Sequence, residues 1–313
     1  MVHSGHDTIW LDLLGAQTRY VDAGGIRTRV IESGTGPALV LLHGGGGHAE
    51  AFARNVVPLA GEGLRVVAVD YLGHGLTDRP SNPIGRDNYV AHLVATLDAL
   101  GLEQATLAGE SLGGWIAFWT ALLHPDRVTK LISVCGARLE VEKDPASEAH
   151  VREGRARFKA LNEAFLADPT LENVRNRLAW LFFDPDESIT DELAQLRLRL
   201  YQDDKVRRTL SDGIGMKVVT SGADTVKRND AFDADALAGI QHETLVLWTS
   251  HNPSNTAATA RRAASFIPNS RFAVMSDCGH WPQWEDPATF NRLVADFTLG
   301  RAQVGEPVEL AST

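Results

Sequence analysis

Residues 105–123 read Ala-Thr-Leu-Ala-Gly-Glu-Ser-Leu-Gly-Gly-Trp-Ile-Ala-Phe-Trp-Thr-Ala-Leu-Leu, and a change of period within them decides the fold. Ala105–Ala108 is a short buried-strand run, whereas Trp115, Ile116, Trp119 and Leu122 fall on one helix face. Ser111 sits at the join, inside Gly109-Glu110-Ser111-Leu112-Gly113, which fits the pattern G-x-S-x-G. So short a pattern also arises by chance; the strand before it and the helix after it supply specificity and predict a nucleophile elbow. Gly109 and Gly113 permit the sharp turn and a close strand–helix approach, and the helix N-terminus turns its dipole toward negative charge near Ser111. The alternative is a serine that merely caps this helix.

Working outward, aliphatic and β-branched runs at Ile26–Ile31, Ala38–Leu42, Leu64–Val69 and Val128–Val134 repeat the strand signal, with helical segments at Tyr89–Leu100 and Leu112–Leu123 between them. Such alternation predicts right-handed crossovers and an α/β fold with a mostly parallel central sheet flanked by helices. After Gly136 the character changes. About a hundred residues carry mixed charges at helical spacing, including Val151–Phe165, Leu171–Phe182 and Asp191–Tyr201. Strand patterns return at Thr244–Trp248 and Arg271–Met275, followed by an amphipathic segment at Ala288–Phe297. The expected organisation is a sheet core over 1–137 and 241–300, an inserted helical cap over 138–240 and a frayed tail over 301–313.

The 313 residues suffice to bury about three quarters of the unfolded surface, so a full core is available. With 44% apolar and 22% charged residues the composition is globular, which excludes disordered, collagen-like and disulfide-scaffold classes. Forty acidic against thirty basic side chains give a net charge of −10, a field that repels nucleic acid and anionic membranes. The apolar segment near Trp115–Leu123 is too short to span a bilayer. Cys135 and Cys278 fall in strand-like contexts far apart in sequence, as in a reduced intracellular chain without a disulfide. These features predict a cytoplasmic protein acting on a small molecule, with no nucleic-acid or membrane partner and self-association left open.

Two further stretches complete the chemistry. His43-Gly44-Gly45-Gly46-Gly47 follows the strand Ala38–Leu42, and glycines there free backbone N–H groups to face an anion. An elbow-based oxyanion hole takes one amide from such a loop and one from the residue after the nucleophile, which points to Gly45 and Leu112; a plain flexible turn is the alternative. For the general base, His280 in Asp277-Cys278-Gly279-His280-Trp281 follows the strand ending near Met275 and can reach the same sheet edge. His43, His48, His74 and His251 also fall in loops, show no metal-ligand spacing and are read as structural or surface residues, so no metal is expected.

These residues resemble the α/β-hydrolase superfamily over nearly the whole chain. Within it, Cys278-Gly279-His280-Trp281-Pro282-Gln283-Trp284-Glu285 and Thr190-Asp191-Glu192-Leu193 are similar to the meta-cleavage-product hydrolases, which split carbon–carbon bonds in ring-opened aromatic catabolites. The resemblance implies that His280 serves Ser111, that Trp281 walls the substrate pocket and that Arg197 from the cap pairs with a substrate carboxylate, without a cofactor. Core packing for Trp281 and a solvated charge for Arg197 are the alternatives. Three departures stand out. The slot of the family acid, beyond the strand ending at Trp248, holds Asn252 in Thr249-Ser250-His251-Asn252-Pro253. An amide oxygen can fix the imidazole tautomer but brings no charge to an imidazolium, so either Asn252 orients His280 or another carboxylate such as Glu140 does. Glu110 stands where the family commonly has Asn, helping to bind the substrate acid, and a carboxylate there would repel another if both were ionised. The glycine loop lacks the family's usual proline.

Three functions follow in order of preference. The first is serine-dependent, cofactor-independent hydrolysis of a carbon–carbon bond in a 2-hydroxy-6-oxohexa-2,4-dienoate-type product of aromatic degradation. The second is a carboxylesterase or lactonase using the same residues. The third is a non-catalytic ligand-binding protein on this fold, which the missing acid motivates.

Overall fold

The computed structural model describes residues 8–81, 84–136, 141–211 and 231–301. Eight strands form one sheet: β1 (Gln17–Ala23), β2 (Ile26–Ser33), β3 (Ala38–Leu42), β4 (Arg65–Val69), β5 (Ala105–Glu110), β6 (Val128–Val134), β7 (Thr244–Thr249) and β8 (Ser270–Met275). Their spatial order is β1-β2-β4-β3-β5-β6-β7-β8. β2 runs antiparallel to both its neighbours, and the remaining pairs are parallel, as the alternating pattern predicts.

Helices α1 (Ile9–Asp12), α2 (Ala53–Gly61), α3 (Arg86–Ala99) and α4 (Leu112–Leu123) accompany the first half. Between β6 and β7 come α5 (Pro145–Ala167), α6 (Leu171–Ala179), α7 (Pro185–Ser188), α8 (Asp191–Tyr201), α9 (Asp204–Ser211) and α10 (Ala234–Ala238). The last three, α11 (Ala257–Ala264), α12 (Pro282–Glu285) and α13 (Pro287–Leu299), surround β8.

Continuous apolar strands are needed because both sheet faces are covered. Val40 and Leu42 enter one layer, with Tyr89, Leu93 and Leu97 of α3 and Trp115, Ile116 and Phe118 of α4. Leu39 and Leu41 enter the other, with Val56 and Leu59 of α2 and Phe290, Leu293 and Phe297 of α13. A third cluster joins Phe165, Leu178, Leu193 and Tyr201 of the inserted helices to Trp281 and Trp284. The inserted helices start where the sequence offers caps: the side chains of Asp144, Thr170 and Thr190 accept from the backbone N–H groups of Ser147, Asn173 and Leu193.

The register gathers strand ends. Leu42 pairs with Gly109, Glu110 with Val134, Val134 with Leu247 and Thr249 with Met275, so the loops after β3, β5, β6, β7 and β8 leave one edge. From β3 the chain passes to β4 on one side, and from β5 to β6 on the other. That reversal opens a crevice at the carboxyl ends of β3 and β5, where open α/β sheets bind ligands.

Glycine makes the junction possible. A Cβ at Gly109 would overlap the Gly113 backbone, and one at Gly113 would overlap the Leu42 carbonyl. Gly113→Ala is therefore expected to cost about 1–3 kcal/mol, read as a lower urea midpoint with an unchanged slope. A stability equal to wild type would show that α4 does not need this approach.

The cysteines differ from expectation. Cys135 lies just past β6 with φ of 47°, and Cys278 lies in the loop after β8, so neither is in a strand. Both are buried thiols without a disulfide. No helix among the described residues is long and apolar enough to cross a membrane.

Candidate active site

Ser111 has φ of 50° and ψ of −110°, a strained conformation for a residue with a Cβ, and its amide donates to the Val134 carbonyl at 3.0 Å. Its side chain makes no capping hydrogen bond to α4, which removes the helix-cap alternative. Ser111 stands at the carboxyl end of β5, with Leu112 beginning α4 beside it, and its hydroxyl makes no hydrogen bond to His280.

The glycine loop is held from below and above. Tyr71 donates through its hydroxyl to the carbonyls of His43 and Gly44 at 2.7 and 2.9 Å, and the Gly47 amide donates to the Gly44 carbonyl at 2.9 Å. From above, Arg197 Nη1 and the Tyr201 hydroxyl donate to the Gly46 carbonyl at 2.8 and 2.7 Å. Gly46 adopts φ of +71°, which favours glycine. The run is thus a braced turn rather than a loose one, and Gly45 remains its partly exposed member. Beneath it, the buried Asp70 carboxylate accepts from the amides of Ala49 and Leu76 at 2.6 and 2.9 Å and pairs with Arg29 at 3.0 Å. His43, His48 and His74 are fully buried in this floor, and burial holds each imidazole below its usual range. His251, by contrast, is exposed and bonded to the neighbouring Ser250 hydroxyl at 2.8 Å.

The loop carrying His280 is clamped between core and cap. Thr249 Oγ1 donates to the Gly279 carbonyl at 2.6 Å, and the His280 amide donates to the Leu181 carbonyl at 2.5 Å. Glu285 accepts from the amides of Gly279 and Phe183, at 2.7 and 2.6 Å, while Trp284 Nε1 donates to the Ser188 carbonyl at 2.9 Å. The residues that follow the histidine in sequence therefore fix it to the inserted helices. Thr190 caps α8, and Glu192 accepts from the Ile9 amide at 2.7 Å.

Among the described residues the imidazole has two polar side-chain neighbours and lies against the Trp180 ring, with centroids 5.5 Å apart. Asn252 Oδ1 lies 3.2 Å from Nδ1. That oxygen already accepts from the Ser254 amide at 2.9 Å and the Ser254 hydroxyl at 2.7 Å, so it acts as an acceptor and Nδ1 carries the hydrogen. On the other side Nε2 meets Glu110 Oε1 at 3.2 Å, a partner the sequence reading did not anticipate. Glu110 is fully buried, and its carboxyl lies against Gly44, where a Cβ would overlap Oε2. Burial pushes Glu110 up to about 8, against the opposing pull of the Gly44 amide and Arg197, and burial lowers His280 to about 4. Glu140, the other candidate for orienting His280, lies outside the described residues.

The α/β-hydrolase fold family matches residues 37–287. The chain is an α/β-hydrolase. It is 33% identical over 282 residues to the 2-hydroxymuconate semialdehyde hydrolase of Pseudomonas sp. strain CF600, covering 89% of this chain and 93% of that one. It is 31% identical over 282 residues to the 2-hydroxy-6-oxo-2,4-heptadienoate hydrolase of Pseudomonas putida F1, covering 89% and 95%. Among solved structures, the meta-cleavage product hydrolase of Pseudomonas fluorescens IP01 superposes with a TM-score of 0.73 at 26% identity, over 92% of this chain and 99% of that one. The resemblance read from the histidine and Thr190 motifs therefore extends over about nine tenths of the chain.

Over the site of this α/β-hydrolase sit two buried guanidiniums. Arg197 uses Nη1 for Gly46 and the Tyr201 hydroxyl, leaving Nε and Nη2 without hydrogen-bond partners among the described residues, and its charge lies 5.0 Å from the Trp281 ring centroid. Arg177, which sequence reading passed over, donates through Nη1 to the Tyr201 hydroxyl at 2.6 Å and through Nε to Asn162 at 2.6 Å, and Nη2 has no partner. No carboxylate forms an ion pair with either arginine among the described residues. Trp281 is itself buried between Arg197 and Phe182, packed edge-on against the latter with ring centroids 5.7 Å apart. No group of three or more His, Cys, Asp or Glu among the described residues is arranged to hold a metal ion.

Proposed function

We propose that this hydrolase cleaves a carbon–carbon bond in a 2-hydroxy-6-oxohexa-2,4-dienoate-type substrate, using Ser111 as nucleophile and His280 as its base, without a cofactor. The observation that carries the reading is the pair of buried guanidiniums, Arg177 and Arg197, with three donors unused beside the glycine loop. Buried charge without a counter-charge is costly, so the site calls for an anionic substrate, and a dienoate carboxylate supplies it. The names of the relatives at 33% and 31% identity support the same substrate class.

In this reading the carboxylate sits on Nε and Nη2 of Arg197. His280, its tautomer fixed by Asn252, takes the Ser111 proton as the hydroxyl attacks the distal ketone. The amides of Gly45 and Leu112 receive the oxyanion, and Trp281 walls the substrate side. Prior ketonisation of the dienol makes the departing carbon fragment a stabilised enolate, which lowers the demand on the base and makes a neutral Asn252 tolerable.

Purified enzyme is expected to bleach the yellow chromophore of such dienoates and release two carboxylic acids per substrate, followed by absorbance and chromatography. Ring-cleavage dienoates left unchanged across a panel, with aryl esters hydrolysed, would favour the second reading, a carboxylesterase or lactonase built on the same Ser111 and His280.

A further inference from the structure

A histidine whose burial empties it of protons at neutral pH makes a poor acid, yet the proposed reaction begins by adding a proton to carbon. The missing proton has a source in contact with the imidazole. Asn252 Oδ1 is committed as an acceptor, so Nδ1 of His280 carries a hydrogen and a neutral ring presents a lone pair at Nε2. Beside that nitrogen, at 3.2 Å but not aligned as a hydrogen bond, is Glu110 Oε1 of a fully buried carboxyl at the end of β5. Two atoms that only accept would repel there, and a proton held on the buried carboxyl relieves the contact.

We propose that Glu110 is the proton store of this site: its carboxyl hydrogen passes to Nε2 of His280, which delivers it to the carbon skeleton of the bound dienolate. The inference rests on the dienoate reading above. In the first transfer the Glu110 O–H bond breaks as Nε2–H forms, giving a carboxylate–imidazolium pair with no change in net charge. In the second, Nε2–H breaks as a C–H bond forms at carbon 5 of the substrate, drawing on the enolate electron pair, and the substrate becomes the 2-oxo tautomer. Glu110 is then a carboxylate beside a neutral His280. That charge, absent from the Asn252 side, now stabilises the imidazolium formed when Ser111 gives up its proton. The imidazolium proton passes to the departing enolate fragment, water activated by His280 cleaves the acyl–Ser111 ester and restores the serine hydroxyl, and when the released carboxylic acid ionises its proton returns to Glu110 and the cycle closes. Glu110 has no solvent-exposed surface and acts through His280, so it is a positioning and proton-supplying residue rather than one that touches substrate.

The groups facing Glu110 are His280 from the loop after β8, Arg197 from α8, Tyr71 after β4 and Cys135 after β6. Burial is the largest influence and holds the carboxyl protonated up to about pH 8. The store is full below that value and empties as pH rises through it, so the ketonisation rate falls on the alkaline side. Ester hydrolysis by the same Ser111 and His280 draws on no stored proton, so its rate does not fall there.

The test compares wild type and Glu110→Gln on a dienoate and on a neutral aryl ester across pH. Gln keeps size and a donor group toward Nε2 but carries no transferable proton. Stopped-flow ketonisation is expected to slow by about 100-fold or more in the variant, as for loss of a general acid. In wild type the dienoate rate is expected to fall above about pH 8 while the ester rate does not. Equal ketonisation by the two proteins, or parallel alkaline profiles for the two substrates in wild type, would overturn the proposal. The wild-type comparison decides even if the variant does not fold. Wild type inactive on every dienoate would remove the underlying reading as well, whereas an active wild type with an indifferent variant would remove only this inference.

Discussion

Ser111→Ala is expected to lower turnover of a dienoate by about 10⁴-fold or more while leaving its binding intact, the result for removal of a nucleophile that acts with its base as a unit. The strained backbone at 111 is set by the Val134 hydrogen bond and the flanking glycines, none of which involves Oγ, and alanine keeps the same Cβ. Fold and pocket should therefore persist. Steady-state kinetics would show the loss in kcat, and titration of the bound dienolate spectrum would show an unchanged Kd. Retention of substantial turnover would mean that water attacks directly or that another group is the nucleophile.

Arg197→Gln is expected to produce the second large effect, on binding rather than on chemistry. In the proposed function this fully buried guanidinium offers two unused donors to the substrate carboxylate, and removing one partner of such a pair is expected to cost about 2–5 kcal/mol, or roughly 30- to 5,000-fold in Kd. The same residue also braces the Gly46 carbonyl, so a neutral aryl ester serves as the control for loop geometry. Loss confined to the dienoate marks a carboxylate contact. Equal loss on both substrates would mark Arg197 as a brace for the glycine loop alone.

Much of the architecture is legible because local signals and burial agree. The run Ala105–Leu123 shows a strand, a glycine turn and a helix, and each stretch around it is apolar wherever the sheet is covered on both faces. Other elements escape for definable reasons. Strand β1 is mostly exposed, and because Arg19 stands with Val21 and Ala23 on its inward face while Tyr20 faces out, its apolar alternation is weak, although its Gly24-Gly25 turn, with φ of 65° and 86°, is a hairpin signal. Helix α2 contains Pro58, and α11 is a run of Ala, Thr and Arg without large apolar residues, so neither carries a clear helical stripe.

At the site, the glycine loop, Ser111, Asn252 and His280 could be named from one-dimensional context because each follows a strand. Arg177 could not: in sequence it is one of many charges on a mixed-charge helix, and only packing of α6 and α8 buries it. The contact of Glu110 with Nε2 was equally hidden, since it joins residues 170 positions apart. The pattern G-x-S-x-G shows that a carboxylate neighbours the serine but not which way it turns.

Whether this site is built for an anionic dienoate or for a simple ester is decided by kcat/KM for a panel of 2-hydroxy-6-oxo dienoates and of neutral aryl esters on one enzyme preparation. The best dienoate is expected to exceed the best ester. An ester processed faster than every dienoate would contradict it.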